Sequence, residues 1–279
     1  MKNKRVVLII SASILLFAVI GCGSYFAVIR KQSEKAGLIT LNTKNLPEKQ
    51  DPIEEDHVQL SMMRMHYVRY GVGAKTVILI HGNGGSTYSL MELAQYLAND
   101  YTVYCIDSRC HGNSSDPDVI TYELMAQDVY EFIQAKLTDK PFVVGHSDGA
   151  IVALSLAAMY PDSIAACVSC GANSRPETFK WYFTLGVKIR NLFKKDKLND
   201  LMLELPDFTP EYLSRITVPT YIVAGEYDIM PLSDSVYISD HIKDSKLAII
   251  KNANHSNYIS SNGGRIYKLA TEFFSSLTE

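Results

Sequence analysis

Gly145-His146-Ser147-Asp148-Gly149 is where residue types and spacing first combine into chemistry. The pentapeptide follows the apolar run Pro141 to Val144 and precedes the helix-patterned Ala150 to Met159. On a strand-to-helix turn, two glycines clear space for a sharp bend that holds the serine at its apex. The helix N-terminus then aims backbone N–H groups at whatever attacks or leaves. The chemistry is nucleophilic attack by a serine hydroxyl, with a plain strand-to-helix loop as the bland alternative. Cys167-Val168-Ser169-Cys170 matches C-x-x-C, but inside a strand pattern positions three apart point to opposite faces. The chain has no H-E-x-x-H, Walker A or G-x-G-x-x-G motif, so neither metal nor nucleotide is implied and no cofactor is expected.

Such a serine needs elements that hold it, and the chain from residue 57 supplies them. His57 to Tyr70 has the pattern of two antiparallel strands with a turn near Met63. Six short, mostly uncharged apolar runs follow: Thr76 to Ile80, Thr102 to Ile106, Pro141 to Val144, Ile164 to Ser169, Thr220 to Ala224 and Leu247 to Ile250. Strands buried on both faces read this way. Helical stretches alternate with them at Ser86 to Leu97, Ile120 to Leu137, Asp148 to Met159, Ser233 to Ile242 and Gly264 to Leu277. The alternation predicts an α/β fold with a mostly parallel eight-stranded sheet and helices on both faces. Ala172 to Thr217 breaks the rhythm and reads as a small helical lid over the mouth of the sheet.

With these elements in place, the chain from about residue 57 to its end resembles the α/β-hydrolase fold superfamily. Leu79-Ile80-His81-Gly82-Asn83-Gly84-Gly85 resembles its oxyanion loop, and Asp107-Ser108-Arg109-Cys110-His111-Gly112-Asn113-Ser114 resembles its D-x-R-G-H-G-x-S loop. Cys110 stands where that motif has glycine, which predicts a changed or strained turn. The resemblance implies that Ser147 is the nucleophile. It further implies that Asp228, ending Ala224-Gly225-Glu226-Tyr227-Asp228, is the triad acid in preference to Glu226, with Asp234 as fallback. His255, after the last strand, becomes the base. The chain order Ser, Asp, His is the one expected of this fold. The remaining six histidines are read as surface, strand or loop-shaping residues. The backbone N–H groups of Asn83 and Asp148 are the expected oxyanion donors. A serine at the elbow disfavours epoxide hydrolase and haloalkane dehalogenase chemistry, which needs a carboxylate nucleophile there.

The other regions bear on location and substrate. The whole chain has 279 residues, with 27 Lys+Arg against 30 Asp+Glu; this balance lacks the basic excess that nucleic-acid binding requires. Val6 to Ile29 contains 24 residues without a charge, long enough to span a bilayer as a helix. Residues 1–30 are therefore expected to be a transmembrane signal anchor, residues 31–56 a tether, and residues 57–279 the hydrolase domain with its lid at 172–217. Val19-Ile20-Gly21-Cys22 also resembles the lipobox of bacterial lipoproteins, so a cleaved, lipidated Cys22 is the competing expectation. Either reading gives a membrane-anchored protein, with the domain expected outside a bacterial cell membrane; three cations flank each end and leave the orientation open. In the lid, Trp181 and neighbouring aromatics suggest an apolar acyl or aryl pocket in which Trp181 binds substrate. Interleaved cations from Lys180 to Lys197 give this segment a basic amphipathic character that suits an anionic lipid surface; packing on the sheet mouth is the simpler alternative.

The expected activity is that of a membrane-tethered serine hydrolase cleaving a small-molecule carboxylic ester through an acyl-enzyme. Monoacylglycerol lipase or lysophospholipase, aminopeptidase and C–C bond hydrolase are alternatives within the enzyme class. A non-catalytic binding module on the same fold is the alternative outside it. Substrate identity and oligomeric state are open from the sequence.

Overall fold

A computed structural model describes residues 38–41, 43–260 and 263–277. Its strands are β1 (Leu38–Ile39), β2 (Pro52–Gln59), β3 (Arg64–Tyr70), β4 (Lys75–Ile80), β5 (Tyr101–Ile106), β6 (Phe142–His146), β7 (Ala166–Cys170), β8 (Thr220–Tyr227) and β9 (Ser245–Asn254). The helices are α1 (Met91–Leu97), α2 (Tyr122–Lys136), α3 (Asp148–Met159), α4 (Trp181–Phe193), α5 (Lys197–Glu204), α6 (Pro210–Leu213), α7 (Leu232–Asp240) and α8 (Gly263–Ser275). The strands form one sheet in the order β1-β9-β8-β7-β6-β4-β5-β3-β2. The β2–β3 and β3–β5 pairs are antiparallel and every other pair is parallel.

The central strands β4, β6 and β7 are almost wholly buried, as their continuous apolar sequences require. Apolar residues separate onto the two faces of the sheet. Ile78, Ile80, Val143 and Cys167 pack on one side with α2 and α3. On the other, Val77, Leu79, Val144 and Cys170 pack with α1 and α8. Cys167 and Cys170 thus belong to opposite cores and are free thiols, as the strand period requires. Helix α3 is apolar nearly all round because it is buried against both the sheet and α2.

The sequence elements agree with the structure to within a few residues, with two corrections. The sheet has a ninth strand, β1, which pairs Leu38 with Ile249 and Ile39 with Ile250. Part of the segment expected as a tether is also sheet: Leu38–Ile39 form β1, and Pro52 to Asp56 open β2. A two-residue strand carries no period, and charged Glu54, Glu55 and Asp56 hide an edge strand whose sides face solvent. The expected anchor at 1–30 and the lipobox at Cys22 lie outside the described residues. Among the described residues no helix is long and apolar enough to cross a membrane.

Between β7 and β8 the expected insertion contains α4, α5 and α6, seated at the C-terminal ends of the strands. Asp196 caps α5 by accepting from Leu198 N–H, and Asn191 of α4 donates to Asp200 of α5 at 2.6 Å, fixing the two lid helices together.

Candidate active site

The turn between β6 and α3 is sharp because its backbone crowds itself. Ser147 lies at φ 56° and ψ −120°, an uncommon conformation for a residue with a side chain. A Cβ at Gly145 would come within 2.0 Å of Gly149 O, and one at Gly149 within 2.1 Å of Ile80 O. Glycine at both positions is therefore what allows α3 to start directly over the sheet. The bend is fastened by Ser147 N–H donating to Cys170 O at 2.9 Å. It leaves Ser147 Oγ at the mouth of the sheet.

His255 and Asp228 arrive from neighbouring strand ends. His255 Nε2 lies 2.9 Å from Ser147 Oγ, and His255 Nδ1 lies 2.6 Å from Asp228 Oδ1. Asp228 also accepts from Ile229 N–H at 2.7 Å and from Gly225 N–H at 3.2 Å. Burial alone would raise its pKa; the His255 ring and these two N–H groups outweigh burial and hold the carboxyl below its usual range. An ionised Asp228 requires the proton on His255 Nδ1, which leaves Nε2 as an acceptor for the serine. His146 Nε2 donates to His255 O at 2.8 Å and ties the histidine loop to the elbow. Burial, then the nearby His255, push the pKa of His146 down to about 4, so its ring is a neutral donor.

The expected oxyanion residues also meet here. As the first residue of α3, Asp148 has an N–H with no intrahelical acceptor. Asn83 N–H has no acceptor among the described residues. Gly82, its neighbour, is so close to the serine that a Cβ there would lie 2.9 Å from Ser147 Cβ. The Asn83 side chain donates to Asp148 Oδ2 at 2.9 Å and to Leu198 O of the lid at 3.1 Å, joining loop, elbow and lid. The Asp148 carboxyl is raised above its usual pKa by burial, against the opposing hydrogen bonds from Asn83 and Tyr122.

Behind these groups the Asp107 to Ser114 loop acts as a brace. The Asp107 carboxylate accepts from Thr87 N–H at 2.5 Å, Asn113 N–H at 2.8 Å and the His66 ring at 2.7 Å. Ser108 N–H donates to His81 Nε2 at 3.1 Å, so His81 carries its proton on Nδ1 and donates it to Gly82 O at 2.7 Å. Burial, then neighbouring His111, lower His81 to about pKa 4. Arg109 is fully buried and forks onto Asp128 of α2 at 2.6 and 2.7 Å. Cys110 lies at φ 65°, so the cysteine adopts the left-handed turn that its motif normally gives to glycine.

Above Ser147 is a mostly apolar cavity of about 540 Å³. Its walls include Phe179, Tyr182, Phe183, Val187, Met202 and Ile229, with Ser147 and His255 at the floor. Trp181, expected to bind substrate, does not line it. Its side chain is 75% exposed, because the helical rotation that turns Phe183 and Val187 inward turns Trp181 outward. Sequence reasoning missed Met202, Ile229, Arg190 and Asn199 on the cavity wall. The helical period of α4 and α5 would have singled out Arg190, Asn199 and Met202 only once the direction of the sheet mouth was known, and Ile229 lies in the turn after β8, beside Asp228. Asn199 is buried with Nδ2 unpartnered. The two other acids near the expected site are occupied elsewhere: Glu226 accepts from Asn252 N–H, and Asp234 binds Ser174. Among the described residues no cluster of His, Cys, Asp or Glu suits a metal ion.

The family model described as the alpha/beta hydrolase fold matches residues 75–196. Esterase YbfF of Escherichia coli K12 is 37% identical over 93 residues, covering 33% of this chain and 37% of that protein. The human serine hydrolase BPHL is 28% identical over 247 residues, covering 77% of this chain and 84% of its own. The match to the first of these relatives therefore spans little more than a third of its length. Among solved structures, a thermophilic esterase from Thermogutta terrifontis superposes with a TM-score of 0.66 at 19% identity, over 81% of this chain and 99% of that one. A sheet of this order, with a sharp strand-to-helix turn carrying Ser147 at its centre, is an α/β architecture. The chain has the α/β-hydrolase fold, and its residues 75–196 match the model of that family.

Proposed function

We propose that this protein is a serine hydrolase that cleaves carboxylic esters through an acyl-enzyme. The observation that carries this reading is the continuous hydrogen-bonded series Ser147, His255, Asp228 at the floor of an apolar cavity. Ser147 Oγ attacks the ester carbonyl carbon while His255 Nε2 takes its proton. The resulting oxyanion lies against the N–H groups of Asp148 and Asn83, each donor contributing roughly 3 kcal/mol in the transition state. His255 then gives the proton to the departing alkoxide, releasing the alcohol and leaving the acyl group on Ser147. Water, deprotonated by His255, attacks the acyl carbon, and collapse returns the carboxylic acid and free Ser147. Asp228 keeps the ring in the required tautomer and stabilises the imidazolium.

A cavity of about 540 Å³ suits a small to medium ester with an apolar acyl or alcohol part. The names of the esterase and serine hydrolase relatives agree with this class. The uncharged run Val6 to Ile29 supports a membrane tether for the same enzyme.

The test is labelling of the full chain with a fluorophosphonate probe beside Ser147→Ala, with turnover of p-nitrophenyl esters of increasing acyl length. Labelling is expected to vanish in the variant and kcat to fall by about 10⁴ or more, with one chain-length optimum for the native chain. Absence of labelling and turnover in folded native protein would overturn the reading in favour of a binding module.

A further inference from the structure

The roof of the cavity is helix α4, and its outer side has no partner among the described residues. At about 100° per residue, Trp181, Leu192, Leu185, Ile189, Tyr182 and Phe193 fall at roughly 0, 20, 40, 80, 100 and 120° around its axis. All six are exposed, Leu192 at 84% and Phe193 at 89%. The cavity-lining Phe183 and Val187 fall at roughly 200 and 240°, with half-exposed Tyr182 at the edge between stripe and cavity, so the helix has two apolar faces and only the inner one is packed into the fold. A continuous outer stripe of this size exceeds the scattered apolar exposure of an ordinary surface.

The charges beside the stripe select its partner. Lys188 falls at roughly 340°, beside the stripe, Lys194 and Lys195 follow the end of the helix, and no Asp or Glu occurs between Glu177 and Asp196. None of these three lysines has an acidic partner among the described residues. Residues 178–195 carry five cations and no acid in a chain whose net charge is −3, so the α4 segment is cationic in an anionic molecule. A second copy docking by this same face in two-fold symmetry would set cations against cations. An anionic bilayer satisfies both features together: large apolar and aromatic side chains enter the headgroup boundary, and lysines meet lipid phosphates. We infer that the outer face of α4, the roof of the Ser147 cavity, docks on the surface of an anionic lipid bilayer. This docking stands independently of the hydrolytic reading, because it uses no catalytic group.

Trp181 is the only tryptophan of the chain and lies within the stripe, so its fluorescence reports on this face alone. The full chain is reconstituted with phosphatidylcholine vesicles, with or without phosphatidylglycerol, and with acyl chains brominated or not. In phosphatidylglycerol-containing vesicles the emission is expected to shift blue and to lose most of its intensity to brominated chains. Both effects are expected to fade at ~1 M salt, where charges are screened over a few ångströms. Lys188→Glu combined with Lys194→Glu and Lys195→Glu is expected to abolish them while circular dichroism stays native. Attachment through another segment of the chain leaves Trp181 open to acrylamide and unshifted, and that result would overturn the docking. A blue shift that needs no lipid and grows with protein concentration would overturn it too, in favour of self-association.

Discussion

Asp228 shows how much of a site's chemistry resides in the hydrogen bonds of a single residue. Its carboxylate is almost fully buried and kept ionised by the His255 ring and two backbone N–H groups. Asp228→Asn preserves the shape and offers an amide N–H where a negative acceptor stood, so the ring loses the tautomer that accepts from Ser147. We expect kcat to fall by roughly 10²- to 10⁴-fold with KM little changed, read from steady-state ester hydrolysis. A fall below threefold would remove Asp228 from the series. Cys110 is a second residue whose backbone decides its effect. It holds φ 65° at a steric cost of about 1–2 kcal/mol that glycine does not bear. Cys110→Gly is expected to stabilise the fold by about 1 kcal/mol in urea unfolding, the gain being trimmed by glycine's freer unfolded chain.

At the scale of elements, the connection from β5 to α2 is pinned to α2 by a buried ion pair. The Arg109 guanidinium is buried with Asp128 and also donates to Val119 O at 3.1 Å. Asp128→Ala would leave a buried cation without its carboxylate, and we expect a loss of about 3–5 kcal/mol in denaturant unfolding. A loss under 1 kcal/mol would show that the backbone carbonyls alone satisfy the arginine. The same loop presents Asp107 and Ser108 to the rear of the oxyanion loop, so the element damaged is one that positions the elbow's neighbours. The lid is joined to this framework at few points. Asn83 reaches Leu198 O, and Lys180 donates from its ammonium to Asp228 O, at the turn that carries the acid.

For the whole molecule, two buried histidines set a pH dependence of stability. His81 and His146 titrate at about 4 in the fold, against 6.5 for a free ring. Between those values the unfolded chain holds protons that the folded chain does not, so stability falls as pH drops from 6.5 towards 4. Each ring contributes up to about 1.4 kcal/mol per pH unit in that window and nothing further below it. Urea midpoints measured at pH 7, 6 and 5 are expected to decline. His146→Gln retains a donor for His255 O while removing one titration, so its decline is expected to be shallower. An unchanged slope would remove His146 from the account.

The local chemistry of this chain is written in short stretches of sequence. Gly145 and Gly149 flank a serine between an apolar run and a helix pattern, and strand burial on both faces follows from uncharged segments such as Val77 to Ile80. The positions of Ser147, Asp228 and His255 were legible because each sits at the end of a strand in a known chain order. Tertiary structure decided what depends on directions in space. It turned Trp181 outward and Phe183 inward, since the helical period fixes which residues share a face but not which face meets the cavity. It drew Leu38–Ile39 into the sheet, because two residues can pair with β9 without any pattern of their own. It also placed Met202, Ile229 and Asn199 around Ser147, residues distant along the chain whose shared wall exists only once the lid is folded over the sheet.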